Sequence, residues 1–175
     1  MSKQKPVTTP EFWRERMHEC LATGKELHHI VYNIDPARWQ WIQEATGAIL
    51  ARHVRPGQRL LDAACGYGAI YEVIPAEIHY TGIDSSVDLL AIARIRYPAV
   101  DWRLGDISSM PELSGRYFDW AVCRSVKDMI LENMGPCYWS GIEQELLRVA
   151  RNVLVIEYEA VENYHILGDP VCPSV

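Results

Sequence analysis

Residues 60–70 read LLDAACGYGAI, an apolar run that ends in an acidic residue and is followed at once by two closely spaced glycines. Glycine adopts positive φ angles and lets a ligand approach the main chain where a Cβ atom would block it. The pattern is typical of a β-strand that leads through a nucleotide-binding loop into a helix, although a turn without a ligand is the alternative. Tyr71 stands where the dinucleotide fingerprint G-x-G-x-x-G needs its third glycine, which disfavours a pyrophosphate-binding loop.

Short apolar runs alternate with amphipathic stretches on both sides of this loop. The runs predict strands at 59–63, 79–83, 100–104, 118–123 and 153–158, and the amphipathic stretches predict helices at 69–74, 87–97 and 138–150. Two further helices precede them: one begins at a capping box of Thr8 and Glu11, and one begins at Asp35-Pro36. The alternation predicts an α/β fold with a doubly wound, largely parallel sheet and helices on both faces. Ligands of such sheets bind beyond the carboxyl ends of the strands.

Acidic residues lie at the ends of three successive predicted strands at equal spacing. Asp84 lies 22 positions after Asp62, and Asp106 lies 22 positions after Asp84. A carboxylate at the second strand end can accept both hydroxyl protons of a ribose, although Asp84 or Ser86 could instead cap the next helix. Asp106 can accept from the amino group of a base, although an isolated loop aspartate more often forms an Asx turn. The coincidence of three acids at three strand ends favours a nucleotide-containing cofactor.

Taken together, the stretches LLDAACGYGAI, YTGIDSS, WRLGDI and FDWAVCRSV resemble four successive motifs of the class I, Rossmann-like S-adenosylmethionine-dependent methyltransferases. The resemblance covers about residues 59–158. It implies a Rossmann-like sheet, S-adenosylmethionine as cofactor with S-adenosylhomocysteine as product, and no metal. It also implies methyl transfer to a small-molecule acceptor by in-line displacement. A non-catalytic cofactor-binding subunit of a methyltransferase complex is the alternative function.

The resemblance also implies which residues contact the cofactor. Those on the methionine side are Asp62, Ala64, Gly66, Tyr67, Cys123 and Arg124. Those on the adenosine side are Asp84 at the ribose hydroxyls, Ser85 beside the adenine, Asp106 at the adenine amino group and Ile107 against the ring. Ala64 replaces the usual first glycine of the loop, so we expect a negative φ there or a slightly opened loop. Ser85 stands where the family more often has an apolar residue.

The region after the fifth strand departs further from the family. Only 17 residues follow Tyr158, too few for the helix and antiparallel hairpin that normally complete the sheet. The predicted fold therefore lacks that hairpin and leaves the fifth strand at an edge, which invites pairing. We expect this edge to be covered by the tail AVENYHILGDPV at residues 160–171, or by a second copy in a homodimer.

The chain length predicts one domain with three segments: an N-terminal helical lid at 1–58, the cofactor-binding core at 59–158 and a short tail at 159–175. No residue stands out as a catalytic base. The candidates are His28, His29, Tyr32 and Lys127. A solvated turn is the alternative role for the two histidines, and a helix start is the alternative for Lys127.

The amino-acid composition limits which binding partners and which cellular compartment we expect for the protein. The net charge of -6 argues against nucleic acid and anionic membrane as partners. No apolar run approaches the roughly 18 residues of a membrane helix, and the N-terminus lacks the apolar core of a signal peptide. The five cysteines include no CxxC pair, which argues against a zinc site or a disulfide framework and predicts a cytoplasmic location.

Overall fold

The computed structural model describes residues 9–24, 28 and 34–168. Five α-helices are described in these ranges: α1 Pro10–Thr23, α2 Pro36–His53, α3 Val87–Arg96, α4 Lys127–Met134 and α5 Pro136–Val149. Six strands accompany them: β1 Arg59–Ala63, β2 His79–Asp84, β3 Asp101–Leu104, β4 Phe118–Arg124, β5 Ala150–Ile156 and β6 His165–Gly168. Two 3-10 turns, Ile70–Val73 and Tyr158–Asn163, follow β1 and β5.

The strands form one sheet in the order β3-β2-β1-β4-β5-β6. The pairs among β1 to β5 are all parallel, and β6 runs antiparallel to β5. The predicted α/β, Rossmann-like architecture is therefore confirmed. The strand order reverses between β1 and β4, and a doubly wound sheet binds its ligand in the crevice at that point.

Strand β6 occupies the edge that the sequence predicted to be open. The 3-10 turn after β5 reverses the chain, and β6 then pairs with β5 in a register that places Leu167 opposite Val153 and His165 opposite Val155. The expectation that the tail covers this edge is confirmed. One antiparallel strand stands where the resembled family has a hairpin, and β6 rather than β5 is the outer strand. A homodimer stays a prediction.

Helices cover both faces of the sheet because successive strand residues point to opposite sides. Leu61 and Ala63 of β1 pack in the core with α4 and α5, whereas Leu60 packs in the core with α2 and α3. The same alternation along β4 sends Cys123 to the first face and Val122 to the second. This alternation decides which side chains share a face at the strand ends.

The N-terminus of α2 is capped as predicted, and the cap of α1 lies one residue later than predicted. The Asp35 carboxylate accepts from the backbone N–H groups of Ala37 and Arg38 at 3.1 and 3.0 Å, as predicted for α2. The N-cap of α1 is Thr9, whose hydroxyl accepts from the Phe12 N–H at 3.3 Å, whereas Thr8 lies outside the described residues. The helix predicted at 69–74 is only a single 3-10 turn. Helix α4 begins at Lys127, where the sequence offered a helix start as the alternative to a catalytic role.

Candidate cofactor site

A cavity of about 320 Å³ lies beyond the carboxyl ends of β1 to β4. Small-molecule sites commonly have volumes of about 300–1,000 Å³. Seven of the residues that the resemblance assigns to the cofactor line the cavity: Ala64, Gly66, Asp84, Ser85, Asp106, Ile107 and Arg124. The structure therefore brings residues from four strand ends to one cavity.

The loop after β1 folds back onto the end of β2. The Cys65 N–H donates to the Ile83 carbonyl at 3.0 Å, and the Gly66 N–H donates to the Asp84 carboxylate at 2.8 Å. Three residues of this loop have positive φ: Ala64 at 63°, Gly66 at 56° and Gly68 at 84°. The expectation of a negative φ at Ala64 is therefore wrong. The parallel pairing of β1 with β2, together with the two hydrogen bonds from the loop to β2, fixes the path of the chain after Ala63. On this path the residue at position 64 adopts a left-handed backbone conformation.

We expect Ala64→Gly to raise the free energy of unfolding by about 0.5–1 kcal/mol, because an L-residue pays a steric penalty of about 1–2 kcal/mol in the left-handed region and glycine does not. Chemical denaturation would measure the change. The matched control is Ala51→Gly at an exposed position of helix α2, which should lower the free energy of unfolding by about 1 kcal/mol. The same sign for both substitutions would contradict the assigned backbone conformation.

Asp84 is the most constrained acid of the cavity. Its two carboxylate oxygens accept from the Gly66 and Ser86 N–H groups, each at 2.8 Å. Burial raises the pKa of this carboxyl, and the backbone hydrogen bonds oppose that rise. The next helix is capped by Ser86, whose hydroxyl accepts from the Leu89 N–H at 3.3 Å. Asp84 is therefore not the helix cap, and its carboxylate forms part of the cavity wall.

Asp106 forms an Asx turn at the wall of the cavity, and its contact with a base stays a prediction. Its carboxylate accepts from the Ser108 N–H at 2.8 Å, the hydrogen bond of an Asx turn, and the residue also lines the cavity beside Ile107. Gly105 precedes it, and a Cβ atom there would lie 2.7 Å from the Ile83 side chain. A larger residue at this position would have to displace the tip of the Ile83 side chain.

Three of the predicted cofactor residues lie elsewhere. Among the residues that the structure describes, the cavity wall does not include Asp62, Tyr67 or Cys123. Cys123 is fully buried in the core beneath α4 and α5, and Tyr67 packs in a small cluster with Met17 and Leu89. Asp62 is buried on the opposite face from Cys123 and accepts a hydrogen bond from the Tyr80 hydroxyl. Their contacts with a cofactor stay predictions.

Asp62 makes the stability of the fold depend on pH. Burial raises the pKa of its carboxyl from 3.8 to about 7, although the Tyr80 hydroxyl and Arg124 oppose the rise. A carboxyl whose pKa is higher in the folded state binds protons on folding, so stability falls as pH rises from about 4 to about 7. Asp62→Asn removes the ionisable group. We therefore expect the free energy of unfolding of the variant, relative to that of the wild type, to be about 2 kcal/mol higher at pH 8 than at pH 5. Denaturation at both pH values would measure the gain, and an unchanged difference would contradict the raised pKa.

The predicted catalytic residues are not gathered at the cavity. His28 stacks on Trp39 with ring centroids 5.6 Å apart, and Lys127 begins α4, where its N–H donates to the Glu157 carboxylate at 3.0 Å. Neither residue belongs to the described wall of the cavity. His29 and Tyr32 lie outside the described residues.

Two polar residues near the β4 end were missed by the sequence analysis. Ser125 lines the cavity with a φ of 59°, and its buried hydroxyl has no hydrogen-bond partner within the described part of the chain. Glu157 follows β5, and burial raises the pKa of its carboxyl to about 7, with a further rise from Asp128. Glu157 could have been found as one more acid after a strand, but the fifth strand was predicted to extend to residue 158. No sequence signal marks a left-handed serine.

Helices close the cavity opposite the strand ends. Helix α1 and its cap contribute Thr9, Pro10 and Trp13, and the α4–α5 pair contributes Met129, Met134 and Tyr138. An ion pair between Arg14 and Asp88 at 3.1 Å connects α1 to α3. A lid function of the N-terminal segment stays a prediction. No described helix is long and apolar enough to cross a membrane.

Comparison with known proteins identifies relatives of this fold. A family model described as a methyltransferase domain matches residues 60–152. The Ubiquinone biosynthesis O-methyltransferase of Hahella chejuensis is 29% identical over 105 residues, which are 57% of this chain and 41% of the relative. The protein of the same name from Bordetella avium is 38% identical over 66 residues, 37% of this chain and 25% of the relative. The chain thus spans less than half the length of these relatives.

Solved structures share the fold. The crystal structure of a TehB-like SAM-dependent methyltransferase from Corynebacterium glutamicum superposes with a TM-score of 0.53 at 18% identity. The match covers 83% of this chain and 71% of that protein. At this identity the likeness establishes the architecture of the sheet and its helices.

Proposed function

Because the chain belongs to the methyltransferase-domain family, we propose that it binds S-adenosylmethionine and transfers the methyl group to a small-molecule acceptor by in-line displacement. One observation carries the proposal. The two acids Asp84 and Asp106 lie in the same cavity as the positively charged Arg124. A ligand with hydroxyl and amino donors at one end and a carboxylate at the other matches this arrangement of charge.

The residues of the cavity fit the adenosine part of the cofactor. Two backbone N–H groups fix the Asp84 carboxylate in place. Its remaining lone pairs can accept hydrogen bonds from the hydroxyls of a ribose. Asp106 supplies an acceptor for an amino group, and the apolar side chains of Ile107 and Ile142 supply surface for a base ring. These roles follow from chemistry at each position and remain part of the proposal.

The chain itself has to orient the acceptor and exclude water. S-adenosylmethionine supplies an electrophilic methyl group, so alignment of the acceptor atom along the methyl–sulfur bond is the main requirement. Trp13, Met129 and Tyr138 line the cavity with apolar surface that would exclude water. A base is needed only when the acceptor still carries its proton. His28, His29, Tyr32 and Lys127 stay candidates for it.

We further propose that the acceptor atom is an oxygen of an apolar small molecule. Both curated relatives are named O-methyltransferases, and the apolar helical wall of the cavity favours such a molecule over a charged polymer. The net charge of -6 supports the same preference over nucleic acid. A cytoplasmic location fits a reaction of this kind and belongs to the proposal.

Calorimetric titration with S-adenosylmethionine and S-adenosylhomocysteine tests the proposal, followed by methyl transfer to a panel of phenols and aliphatic alcohols. We expect both cofactor forms to bind and at least one hydroxyl compound to be methylated. The absence of binding by either form would refute the function. Binding of both forms without transfer to any acceptor would favour the alternative of a non-catalytic cofactor-binding subunit.

A further inference from the structure

Glu157 is a partly buried acid that the proposed function does not use. It directly follows β5, and burial raises the pKa of its carboxyl to about 7, with a further rise from Asp128. Backbone hydrogen bonds from Lys127 and Asp128 and the charge of Lys127 oppose that rise. The charge of Glu157 acts in turn on the buried Cys123 thiol of β4. Burial of an acid is unfavourable unless hydrogen bonds compensate it, so the partners of Glu157 indicate its role.

The Glu157 carboxylate caps helix α4 from a different strand. It accepts from the Lys127 N–H, at the first residue of the helix, at 3.0 Å. Val126, which holds the N-cap position of α4, makes no side-chain capping hydrogen bond. Just before it, the Ser125 N–H donates to the Ile156 carbonyl at 2.7 Å. The end of β5 therefore holds the whole connection from β4 into α4, and an acid at a helix N-terminus also complements the helix dipole.

Helix α4 depends on this cap because little else fixes its position. The helix has eight residues, all of them described, and only Ile130 among them is buried. Isolated helices of this length are marginal in water, and packing usually supplies their stability. At its C-terminus the Gly135 N–H donates to the Ile130 carbonyl at 3.1 Å, and Gly135 is also the N-cap of α5. Without the cap we expect α4 to loosen at its N-terminus while the core stays folded.

Helix α4 supplies an apolar part of the cavity wall through Met129 and Met134. The acids Asp84 and Asp106 belong to the β2 and β3 ends, and β1 lies between these strands and β4, which leads into α4. A cofactor whose adenosine lies at the two acids leaves the α4 wall to the acceptor, and methionine side chains adapt to apolar ligands. We propose that Met129 and Met134 contact the apolar body of the methyl acceptor and that Glu157 positions them. This inference rests on the proposed function.

The first test follows α4 itself and needs no ligand. Methyl-13C methionine NMR reports on Met129 and Met134 in α4 and on Met110, which is buried in the core outside this helix. We expect Glu157→Ala to shift the Met129 and Met134 methyl resonances and to leave that of Met110 in place. Glu157→Gln keeps a side-chain oxygen that accepts hydrogen bonds, so it should restore the wild-type positions.

The second test separates the acceptor from the cofactor. Kinetics with 2-naphthol and 1-octanol give the acceptor KM, and calorimetry gives the affinity for S-adenosylhomocysteine. We expect Glu157→Ala to raise the acceptor KM by about three- to tenfold, because the α4 wall then holds its binding position for only a fraction of the time. The affinity for S-adenosylhomocysteine and kcat should change by less than about twofold, and Glu157→Gln should stay within about twofold of the wild type in all three quantities.

Glu162→Ala is the matched control. Glu162 is an exposed acid in the 3-10 turn after β5 and is not part of the described cavity wall. Its replacement removes the same group from the same region, and it should leave the methionine resonances in place and change the acceptor KM by less than about twofold, since water screens this charge. A merely structural role of Glu157 would lower kcat and both affinities together.

The outcomes separate this inference from the proposed function. If the wild type does not bind S-adenosylhomocysteine, or binds it and methylates neither probe, the proposed function fails for these acceptors and the role of Glu157 fails with it. If the wild type methylates a probe and Glu157→Ala leaves the Met129 and Met134 resonances in place, the role of Glu157 alone is overturned. An equal loss of acceptor and S-adenosylhomocysteine affinity would assign the α4 wall to the cofactor, which also overturns it.

Discussion

Replacing Asp84 by alanine is expected to weaken S-adenosylhomocysteine binding by at least about 100-fold. A carboxylate that accepts two ribose hydroxyls contributes about 1.5–3 kcal/mol for each hydrogen bond, and both would be lost. The substitution also leaves the N–H groups of Gly66 and Ser86 without the carboxylate to which they donate at 2.8 Å. The loop that faces the cofactor would therefore lose its support together with the contact. Calorimetric titration measures the loss.

Asp128→Ala is the matched control for this prediction. Asp128 is an exposed aspartate in the first turn of α4 and is not part of the described cavity wall. We expect its replacement to change the affinity by less than about twofold, because it removes a charge that water screens. Circular dichroism of both variants checks that the fold is intact. Equal losses for the two variants would show that the cofactor site lies elsewhere.

The strands that surround the loop were predictable because their sequence signals are local. Strand β1 was predicted with its observed bounds, since the polar Arg59 and the loop after Ala63 limit one short apolar run. Strand β5 was placed three residues too late, because Ala150–Asn152 contain two polar residues that read as a turn after α5. Their strand geometry is imposed by pairing with β4, where Phe118 lies opposite Ala150. Strand β6 depends on the same kind of non-local pairing.

Site residues that can be recognised by their side-chain chemistry were predictable from the sequence. Residues whose place in the site depends on the conformation of the main chain were less predictable. Asp84 and Asp106 reach the cavity because Asp84 is the last residue of β2 and Asp106 lies two residues after the end of β3. The resemblance placed both Cys123 and Arg124 on the methionine side, but neighbouring strand residues point to opposite faces, and of these two residues Arg124 is the one that lines the cavity. The φ of 63° at Ala64 could not be predicted, because alanine rarely adopts this angle and no residue spacing in the sequence indicates it. Only the hydrogen bonds between the loop and β2 account for it.

Gly68→Ala is expected to lower the free energy of unfolding by about 3 kcal/mol, which corresponds to a fall in Tm of about 10 °C for a chain of this size. Gly68 has a φ of 84°, and a Cβ atom there would lie 2.7 Å from the Trp102 ring. That ring cannot move aside easily. Its nitrogen donates to the Tyr97 carbonyl at 3.0 Å, and its indole packs edge-on against Tyr80 at 5.5 Å between centroids.

Gly57→Ala separates the two causes of this loss, because Gly57 shares the backbone conformation and lacks the contact. Its φ is 80°, and a Cβ atom there would meet nothing within 4 Å. We expect Gly57→Ala to cost only the backbone penalty of about 1–2 kcal/mol. The difference between the two variants then measures the overlap with Trp102. If thermal and chemical denaturation gave the same loss for both, the close packing of the loop against β3 would be wrong, and with it the rigid support on which the geometry of the cofactor site depends.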